Sequence, residues 1–288
     1  MKAVVRLTAG LANRMFQYSY ALYLESNGFD VYIDKNYNPK LPHEKLEWER
    51  IFPNAKIEQA SKSLIFRLGG GFDILSRIRI HFHIFSKVYM YHNFSSPDFN
   101  EVKGDRYYIS LFAHHKFADA VKESVMEHFH FASFKDQNNV ELQRIMENSN
   151  SVAIHFRKGD DYSSRADLNG VCTMEYYNKA IGIIQERVEN PKFFVFTDNP
   201  RWVKENLKAI EYTLVDHNPT VGWGNHFDMQ LMSCCKHNII ANSTYSWWGA
   251  YLNPNNEKIV IMPKCWFNPL IRVEPIEEQL LCDGWIAL

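Results

Sequence analysis

The residues best suited to chemistry follow an apolar run in the segment SVAIHFRKGDDYSS, residues 151–164. Two cations, Arg157 and Lys158, come just ahead of two carboxylates, Asp160 and Asp161. A guanidinium and an ammonium can bind the oxygens of a phosphate, and a neighbouring carboxylate can serve as a base. The alternative is a surface turn whose charges compensate one another. The segment alone supports both interpretations.

Three more polar clusters follow apolar runs in the second half of the chain. In an open parallel sheet, ligands bind beyond the carboxyl ends of the strands. We therefore expect these clusters to converge with the first one on a single edge of a sheet. They are Thr197-Asp198, Asp216-His217 and Asn242-Ser243-Thr244.

The combined chemistry fits a nucleoside diphosphate. Arg157 and Lys158 supply positive charge for phosphate oxygens. Ser243, Thr244 and Ser246 lie at the start of a predicted helix, where backbone N–H groups and the helix dipole favour an anion. The alternative for Ser243 and Thr244 is an ordinary helix cap.

Two further side chains suit the recognition of a base. Asp198 could accept hydrogen bonds from the N–H edge of guanine, and His155 could orient that base, although a satisfied core histidine is the alternative. The turn TAGLANRMFQY, residues 8–18, also places backbone amides and Asn13 at a helix start, which suits an anion or a sugar. It lacks the spacing of a dinucleotide-binding loop, and a tight turn packed on the sheet explains it equally well.

The elements that must position these residues form two α/β regions. AVVRL, RMFQYSYALYLESNG and DVYID read as strand, helix and strand, which is one βαβ unit. From residue 151 onward, five apolar strands alternate with four helical segments, as in a doubly wound parallel sheet. We predict a GT-B-like fold of two Rossmann-like domains facing a cleft. The predicted domains are 1–145, on the acceptor side, and 146–288, which binds the nucleotide sugar.

The middle of the chain, residues 41–135, gives a weaker pattern. It predicts mainly helices with one or two strands. The basic and aromatic stretch 77–92 could touch a membrane surface or an extended substrate, or it could be an amphipathic element packed on the core.

Composition excludes several classes of protein. The chain has 288 residues, of which 46% are hydrophobic, and a formal net charge of −1. It has no long basic block, which argues against nucleic-acid binding. No signal peptide or transmembrane run is evident. The five cysteines lack C-x-x-C spacing, so reduced thiols in a cytoplasmic protein are expected. No D-x-D triplet occurs, and we expect no metal or other cofactor.

Four motifs carry a family resemblance. AGLANRMFQYSYALYL, HFRKGDDY, FFVFTDNPRWV and NIIANSTYSWWGAYLN resemble, in order and spacing, motifs of the α-1,2-fucosyltransferases of glycosyltransferase family 11. The resemblance spans nearly the whole chain and is weakest over residues 41–135.

The resemblance implies a metal-independent, inverting transfer of L-fucose from GDP-β-L-fucose to the 2-hydroxyl of a terminal galactose. It assigns the pyrophosphate contact to Arg157 and Lys158, and guanine contacts to His155 and Asp198. The turn Asn242-Ser243-Thr244 would contact phosphate. The partners implied are GDP-fucose and a galactose-terminated oligosaccharide or glycolipid.

The sequence departs from the family pattern in the first two motifs. Ala9 and Ala12 stand where the pattern has glycine, and Arg14 replaces its glutamine. Lys158 replaces the second arginine of the charged motif, which keeps the charge but loses the bidentate geometry. These departures bear on the acceptor more than on the donor.

The mechanism we expect is a single displacement through an oxocarbenium-like transition state, with Arg157 and Lys158 stabilising the leaving phosphate. Asp160 is the first candidate for the base and Asp161 the second, but Asp160 could instead orient Arg157. Two alternatives to the function remain: a nucleotide-sugar transferase with another donor or linkage, such as α-1,6, and a non-catalytic carbohydrate-binding module. A location in the cytoplasm, with peripheral contact at the inner membrane, completes the prediction.

Overall fold

The chain divides into two compact units, Met1–His130 and Phe131–Leu288. The structure is a computed structural model. It describes every residue except 36–46, 72–73, 83–86, 91–103 and 273–275. Nor does it describe the side chains of seven residues, which are Arg77, Ile80, Tyr89, Met90, Asp161, Ile276 and Glu277.

The first unit has a parallel sheet with helices between its strands. In its described part, the order along this sheet is β2-β1-β4-β3. Its strands are β1 (Lys2–Arg6), β2 (Asp30–Asp34), β3 (Val88–Met90) and β4 (Arg106–Ile109). Its helices are α1 (Leu11–Ser26), α2 (Trp48–Ile51), α3 (Lys62–Arg67), α4 (Ile74–His81), α5 (His115–Ala120) and α6 (Lys122–His128).

The core of the first unit forms where apolar strands meet helical faces. Val4 and Tyr107, on the neighbouring strands β1 and β4, pack against Leu64, Ile65 and other buried residues around α3. Burial of such side chains contributes about 1.5–3 kcal/mol each. The predicted strand-helix-strand start of the chain is confirmed as β1, α1 and β2.

The second unit carries the larger sheet. The order along its described strands is β10-β9-β8-β5-β6-β7, and all of their pairings are parallel. The strands are β5 (Ser151–Phe156), β6 (Lys192–Thr197), β7 (Tyr212–Val215), β8 (His237–Ile239), β9 (Val260–Met262) and β10 (Ile286–Ala287). The helices are α7 (Gln137–Glu147), α8 (Asp160–Ser163), α9 (Met174–Arg187), α10 (Pro200–Asn206), α11 (Phe227–Cys234), α12 (Thr244–Tyr251) and α13 (Ile276–Leu280).

The order of these strands reverses at β5. The chain runs from β5 outward to β6 and β7, then returns to β8 on the other side of β5. Ile154 of β5 pairs with Ile239, the last residue of β8, and β5 continues two residues further to Phe156. This topological switch point leaves a crevice outside the carboxyl ends of the two strands, which is where open α/β sheets bind ligands.

The predicted fold class, α/β with a doubly wound parallel sheet in the second half, is confirmed. The five predicted strands and four predicted helices of that half are present, together with the additional strand β10. The facing of the two units across a cleft stays a prediction.

The division between the units falls at 130/131, ahead of the predicted boundary at 145/146. Residues 137–147, which look polar in the sequence, form the helix α7. Its Met146 is fully buried against Phe134, Ala153 and Phe194 in the core of the second unit. This burial assigns α7 to the second sheet.

Candidate functional site

The crevice between β5 and β8 brings two of the predicted clusters together. Arg157 and Lys158 follow β5 directly, and the turn 242–244 follows β8 and leads into α12. The third cluster, Thr197-Asp198, ends β6, which pairs with β5 so that Phe156 lies beside Thr197. The predicted convergence at one edge of the sheet is therefore present for these three clusters.

Asp198 contacts the charged loop that follows β5. Its Oδ2 lies 3.2 Å from Nε of Arg157. Its Oδ1 accepts a hydrogen bond of 2.6 Å from the backbone N–H of Lys158. Both carboxylate oxygens therefore face groups of this loop, and Asp198 orients Arg157. Its predicted contact with guanine stays a prediction.

Lys158 is held at its backbone and at its side chain. Its carbonyl accepts a hydrogen bond from Asn199 Nδ2 at 3.1 Å. Its ammonium donates to the carbonyl of Cys172 at 2.9 Å and lies 4.9 Å from the ring centre of Trp202. Burial lowers the pKa of Lys158 below its ordinary value. In this structure the ammonium ties two loops together, and its predicted contact with phosphate stays a prediction.

Asp160 lies at the start of the short helix α8 and is exposed. Exposure suits a group that must reach an incoming acceptor, because a base acts only within hydrogen-bond distance. Asp198 pairs with Arg157, and the two roles that the sequence left open for Asp160, base and orienter of Arg157, stay predictions. The alternative base, Asp161, has its backbone in α8, while its side chain lies outside the described residues.

His155 is buried at the end of β5. Burial, and then the charge of Arg157, lower the pKa of His155 to about 3, so the imidazole is neutral at pH 7. Its Nδ1 has no hydrogen-bond partner among the residues that the structure describes. The ring lies 6.0 Å, between centres, from the ring of Tyr245 on α12. A buried ring nitrogen at the edge of the crevice differs from the satisfied core histidine considered above.

Asn242 joins the crevice to the loop that follows α8. Its Oδ1 accepts hydrogen bonds from the hydroxyl of Tyr162 at 2.5 Å and the thiol of Cys172 at 3.3 Å. Its Nδ2 donates to the carbonyls of Leu168 and Trp266. These contacts use the amide in protein structure, and its predicted role in nucleotide binding stays a prediction.

The start of α12 carries two partly exposed hydroxyl residues, Ser243 and Thr244, and one buried one, Ser246. Ser243 occupies the N-cap position, but its side chain makes no cap hydrogen bond. Thr244, the first residue of the helix, is also partly exposed. The side chain of Ser243 therefore does not cap α12. Ser246 is fully buried, and its hydroxyl donates to the carbonyl of Ser243 at 3.3 Å. The contact of Ser246 with ligand stays a prediction.

The sequence reasoning missed Asp228, near the start of α11. Its Oδ1 accepts a hydrogen bond of 2.8 Å from Asn218, just beyond β7. Desolvation raises the pKa of Asp228 to about 6, against the opposing effects of Asn218 and His217. The only signal in the sequence was an acid at the head of the otherwise apolar helix FDMQLMSC.

Tyr245 connects Asp228 to the end of β5. Its hydroxyl accepts from the backbone N–H of Met229 at 2.9 Å and donates to the carbonyl of Asn225 at 2.7 Å. Burial raises the pKa of Tyr245 well above its ordinary value, with Asp228 adding to that effect and Arg157 opposing it. The charges of Asp228 and Arg157 therefore both act on this one hydroxyl.

Asn13 lies in the first unit, in the first turn of α1, and is partly exposed. The preceding turn is held by Arg14, whose Nε donates to the carbonyl of Ala9 at 3.0 Å. Ala9 has a φ of 65°, in the left-handed region that favours glycine. The methyl group at this position is therefore tolerated at a cost in backbone strain. Contact between Asn13 and an anion or sugar stays a prediction.

Within the part of the chain that the structure describes, no group of three His, Cys, Asp or Glu residues is placed to hold a metal ion. No described helix is both long and apolar enough to cross a membrane.

Comparison with known proteins assigns the family. The profile described as "Glycosyl transferase family 11" matches residues 3–288, which is nearly the whole chain. The chain belongs to glycosyl transferase family 11. The predicted recognition and the predicted enzyme class are thereby confirmed, and this transferase is not a mere carbohydrate-binding module.

Individual relatives agree with this assignment. The transferase is 33% identical over 275 residues to the alpha-1,2-colitosyltransferase of Escherichia coli, covering 92% of each chain. It is 38% identical over 146 residues to the O-antigen biosynthesis glycosyltransferase WbnK of Escherichia coli, covering 50% of this chain and 46% of that protein. It is 27% identical over 106 residues to the galactoside alpha-(1,2)-fucosyltransferase 2 of Rattus norvegicus, covering 36% and 30%.

A solved structure supports the fold. The crystal structure of fucosyltransferase NodZ from Bradyrhizobium superposes with a TM-score of 0.52 at 12% identity, over 86% of this chain and 91% of that one. At this level of identity the likeness concerns the fold alone.

Proposed function

We propose that this family 11 transferase moves L-fucose from GDP-β-L-fucose to the 2-hydroxyl of a terminal galactose, with inversion and without a metal ion. The observation that carries the proposal is the crevice at the switch point of the second sheet. There the loop of Arg157, after β5, lies beside the start of α12, after β8. A guanidinium and a helix N-terminus with partly exposed hydroxyl residues suit a diphosphate.

Arg157 is the residue we assign to the departing phosphate. Its guanidinium is oriented by Asp198 through the Nε contact of 3.2 Å. An oriented cation stabilises charge that develops on the β-phosphate oxygens and contributes about 2–4 kcal/mol to lowering the barrier. Lys158 acts in this proposal mainly by holding the loop in place through Cys172.

Asp228 is the residue we assign to the guanine base, in place of Asp198. Its Oδ1 is fixed by Asn218. The anionic form of a carboxylate accepts hydrogen bonds from the N1–H and N2–H groups of guanine. His155, neutral and with an unsatisfied Nδ1, has its ring 6.0 Å from the ring of Tyr245 and can accept or donate toward the same nucleotide.

Asp160 is the residue we assign as base. It takes the proton of the galactose 2-hydroxyl as the new bond to the anomeric carbon forms and the bond to GDP breaks. Replacing Asp160 by Asn should lower kcat about a hundredfold or more while the affinity for GDP changes little. Weaker GDP binding with unchanged kcat would contradict this role.

A second candidate donor follows from the relative of full length. Because that protein is a colitosyltransferase, we also consider transfer of colitose, which is L-fucose without its 3-hydroxyl. If the site hydrogen-bonds the 3-hydroxyl of fucose, kcat/KM for colitose should be lower by about 10⁴-fold or more. If the site makes no hydrogen bond to that hydroxyl, the two donors should have similar kcat/KM.

Parallel incubations with different donors distinguish these candidates. The purified transferase is incubated with lactose and GDP-fucose, GDP-colitose or UDP-galactose, with and without EDTA, and the products are identified by mass and linkage. We expect a fucosylated product, linked to the galactose 2-hydroxyl, that EDTA does not reduce. Preferred use of GDP-colitose would establish the second candidate. A product from UDP-galactose alone, or loss of product with EDTA, would contradict the proposal.

The acceptor and the location are parts of the same proposal. We assign the acceptor, a galactose-terminated oligosaccharide or glycolipid, to the first unit. A cytoplasmic location is supported by the cysteines, since none of the five forms a disulfide bond and oxidising compartments favour disulfides.

A further inference from the structure

A cluster of exposed apolar side chains lies on the first unit. Ile74, Leu75 and Ile78 of α4 are exposed, with Ile74 at 77%. Phe66 of α3 and Phe82, just after α4, are exposed as well. We call these five residues the α3–α4 patch. Large apolar side chains that are exposed together mark an interaction surface.

The two helices are tied to one another, so the patch is a built surface. The hydroxyl of Ser76, which is buried, donates to the carbonyl of Gly70 at 2.9 Å. Arg79 Nη1 donates to the carbonyl of Phe66 at 2.8 Å, and its guanidinium lies 4.7 Å from the centre of the Phe66 ring. α4 therefore turns a serine inward and isoleucines outward, the reverse of a helix packed on a core.

The segment that carries the patch is strongly basic. Residues 60–90 hold five Lys and Arg against a single Asp, a net charge of +4, in a chain whose net charge is −1. Lys62, Arg67 and Lys87 are exposed beside the patch. Arg67 makes one long ion pair, 3.9 Å from Asp105, and such exposed pairs bind weakly. The patch thus combines apolar side chains with a surrounding positive charge.

We propose that the α3–α4 patch docks this transferase on an anionic lipid surface. Apolar side chains of an interfacial helix enter the boundary between headgroups and acyl chains, and flanking Lys and Arg bind the lipid phosphates. Arg79, stacked on Phe66, combines an apolar stem with a charged head, which suits the boundary between headgroups and acyl chains. A second copy of the chain fits less well, because a two-fold contact would set one basic segment against another.

This inference goes beyond the proposed function, and its test requires no transfer of sugar. The full chain is floated in a density gradient with vesicles of phosphatidylcholine, or with vesicles in which about a third of the lipid is phosphatidylglycerol. We expect binding to the anionic vesicles that weakens as salt is raised, because screening shortens the reach of the cations. No binding to anionic vesicles at low salt would overturn the proposal.

Variants locate the surface. Ile74→Gln with Ile78→Gln should lower vesicle binding about tenfold or more. Lys62→Gln with Arg67→Gln should lower it about fivefold per cation. Leu270→Gln is the matched control, since Leu270 is an exposed apolar residue of the second unit, and it should bind as the wild type does.

Two further readouts keep the outcomes distinct. All variants should keep the unfolding temperature and the activity on a soluble acceptor, because the changed side chains are exposed. Sedimentation at increasing protein concentration detects self-association. Dimers that the Ile74→Gln and Ile78→Gln changes abolish, without vesicle binding by the wild type, would identify a second copy as the occupant and overturn the lipid proposal.

Discussion

At the scale of single residues, the structure adds contacts that the sequence did not indicate. The sequence predicts Asp198 as a ligand of the base and Lys158 as a ligand of phosphate, and both roles stay predictions. In the structure, Asp198 contacts Arg157 and the backbone N–H of Lys158, and the Lys158 ammonium donates to the carbonyl of Cys172. Spacing along the chain could not show these contacts, because they join loops that only folding brings together.

Asp228 gives a prediction about pH. The raised pKa, about 6, means that the carboxyl is protonated below pH 6 and cannot then accept from guanine. KM for GDP-fucose should therefore rise as pH falls below 6, by up to about tenfold per unit. Asp228→Asn should have a high KM that is flat from pH 5 to 8. Initial rates at varied donor concentration measure both.

The stability of the same variant provides a check. Folding raises the pKa of Asp228, so the ionised carboxylate destabilises the folded state. This destabilisation is complete above pH 6, where the folded protein is ionised, and absent at pH values below the ordinary pKa of an aspartate, where both states are protonated. Asp228→Asn should therefore not lower the unfolding temperature at pH 8. Asp283→Asn, a change of an exposed acid just ahead of β10, is the matched control and should keep the wild-type KM. A flat wild-type profile would argue against the role in base binding.

Ala9 gives a prediction about backbone strain. A non-glycine residue with a φ of 65° costs about 1–2 kcal/mol, part of which the larger unfolded-state entropy of glycine offsets. Ala9→Gly should raise the free energy of unfolding by about 0.5–1 kcal/mol, measured by thermal denaturation. Ala12→Gly, inside α1, should lower it by about 0.5–1 kcal/mol. If both changes altered the free energy of unfolding equally, the claim that the backbone of Ala9 is strained would be wrong.

At the scale of elements, α11 and α12 pack closely against each other, and this packing holds in place the turn 242–244 that precedes α12. A Cβ built on Gly249 of α12 would lie 2.8 Å from Cβ of Met232 and 3.4 Å from the carbonyl oxygen of Met229. Both of these atoms belong to α11, which also carries Asp228. Glycine in the motif SWWGAY is therefore required for the packing of two helices that together bear the proposed site.

Gly249→Ala should consequently destabilise the protein by about 1–3 kcal/mol, since overpacking forces the helices apart. Gly182→Ala is the control. Gly182 lies in α9, where an added Cβ meets no atom within 4 Å, and the change should stabilise the protein by about 0.5–1 kcal/mol. Chemical denaturation compares the two variants. Equal stability of both would contradict the close approach.

At the scale of the whole molecule, the sequence predicted the two α/β units, the strands of the larger sheet and the family. Strands of a parallel sheet are buried on both faces and therefore appear in the sequence as continuous apolar runs, which makes them easy to predict. Less predictable was the boundary at 130/131, since α7 looks polar until Met146 is seen packed on the sheet. The exposed face of α4 was equally hidden, because its composition also fits a helix packed on a core.

The central claim is that Arg157, at the switch point of the second sheet, binds the diphosphate of the donor. Titration calorimetry of GDP with the wild type and with Arg157→Ala tests it most directly, with circular dichroism to confirm that both are folded. We predict that the wild type binds GDP in the presence of EDTA and that the variant binds about 30-fold or more weakly, a loss of about 2 kcal/mol or more. Equal affinity of the two folded proteins for GDP would contradict the account.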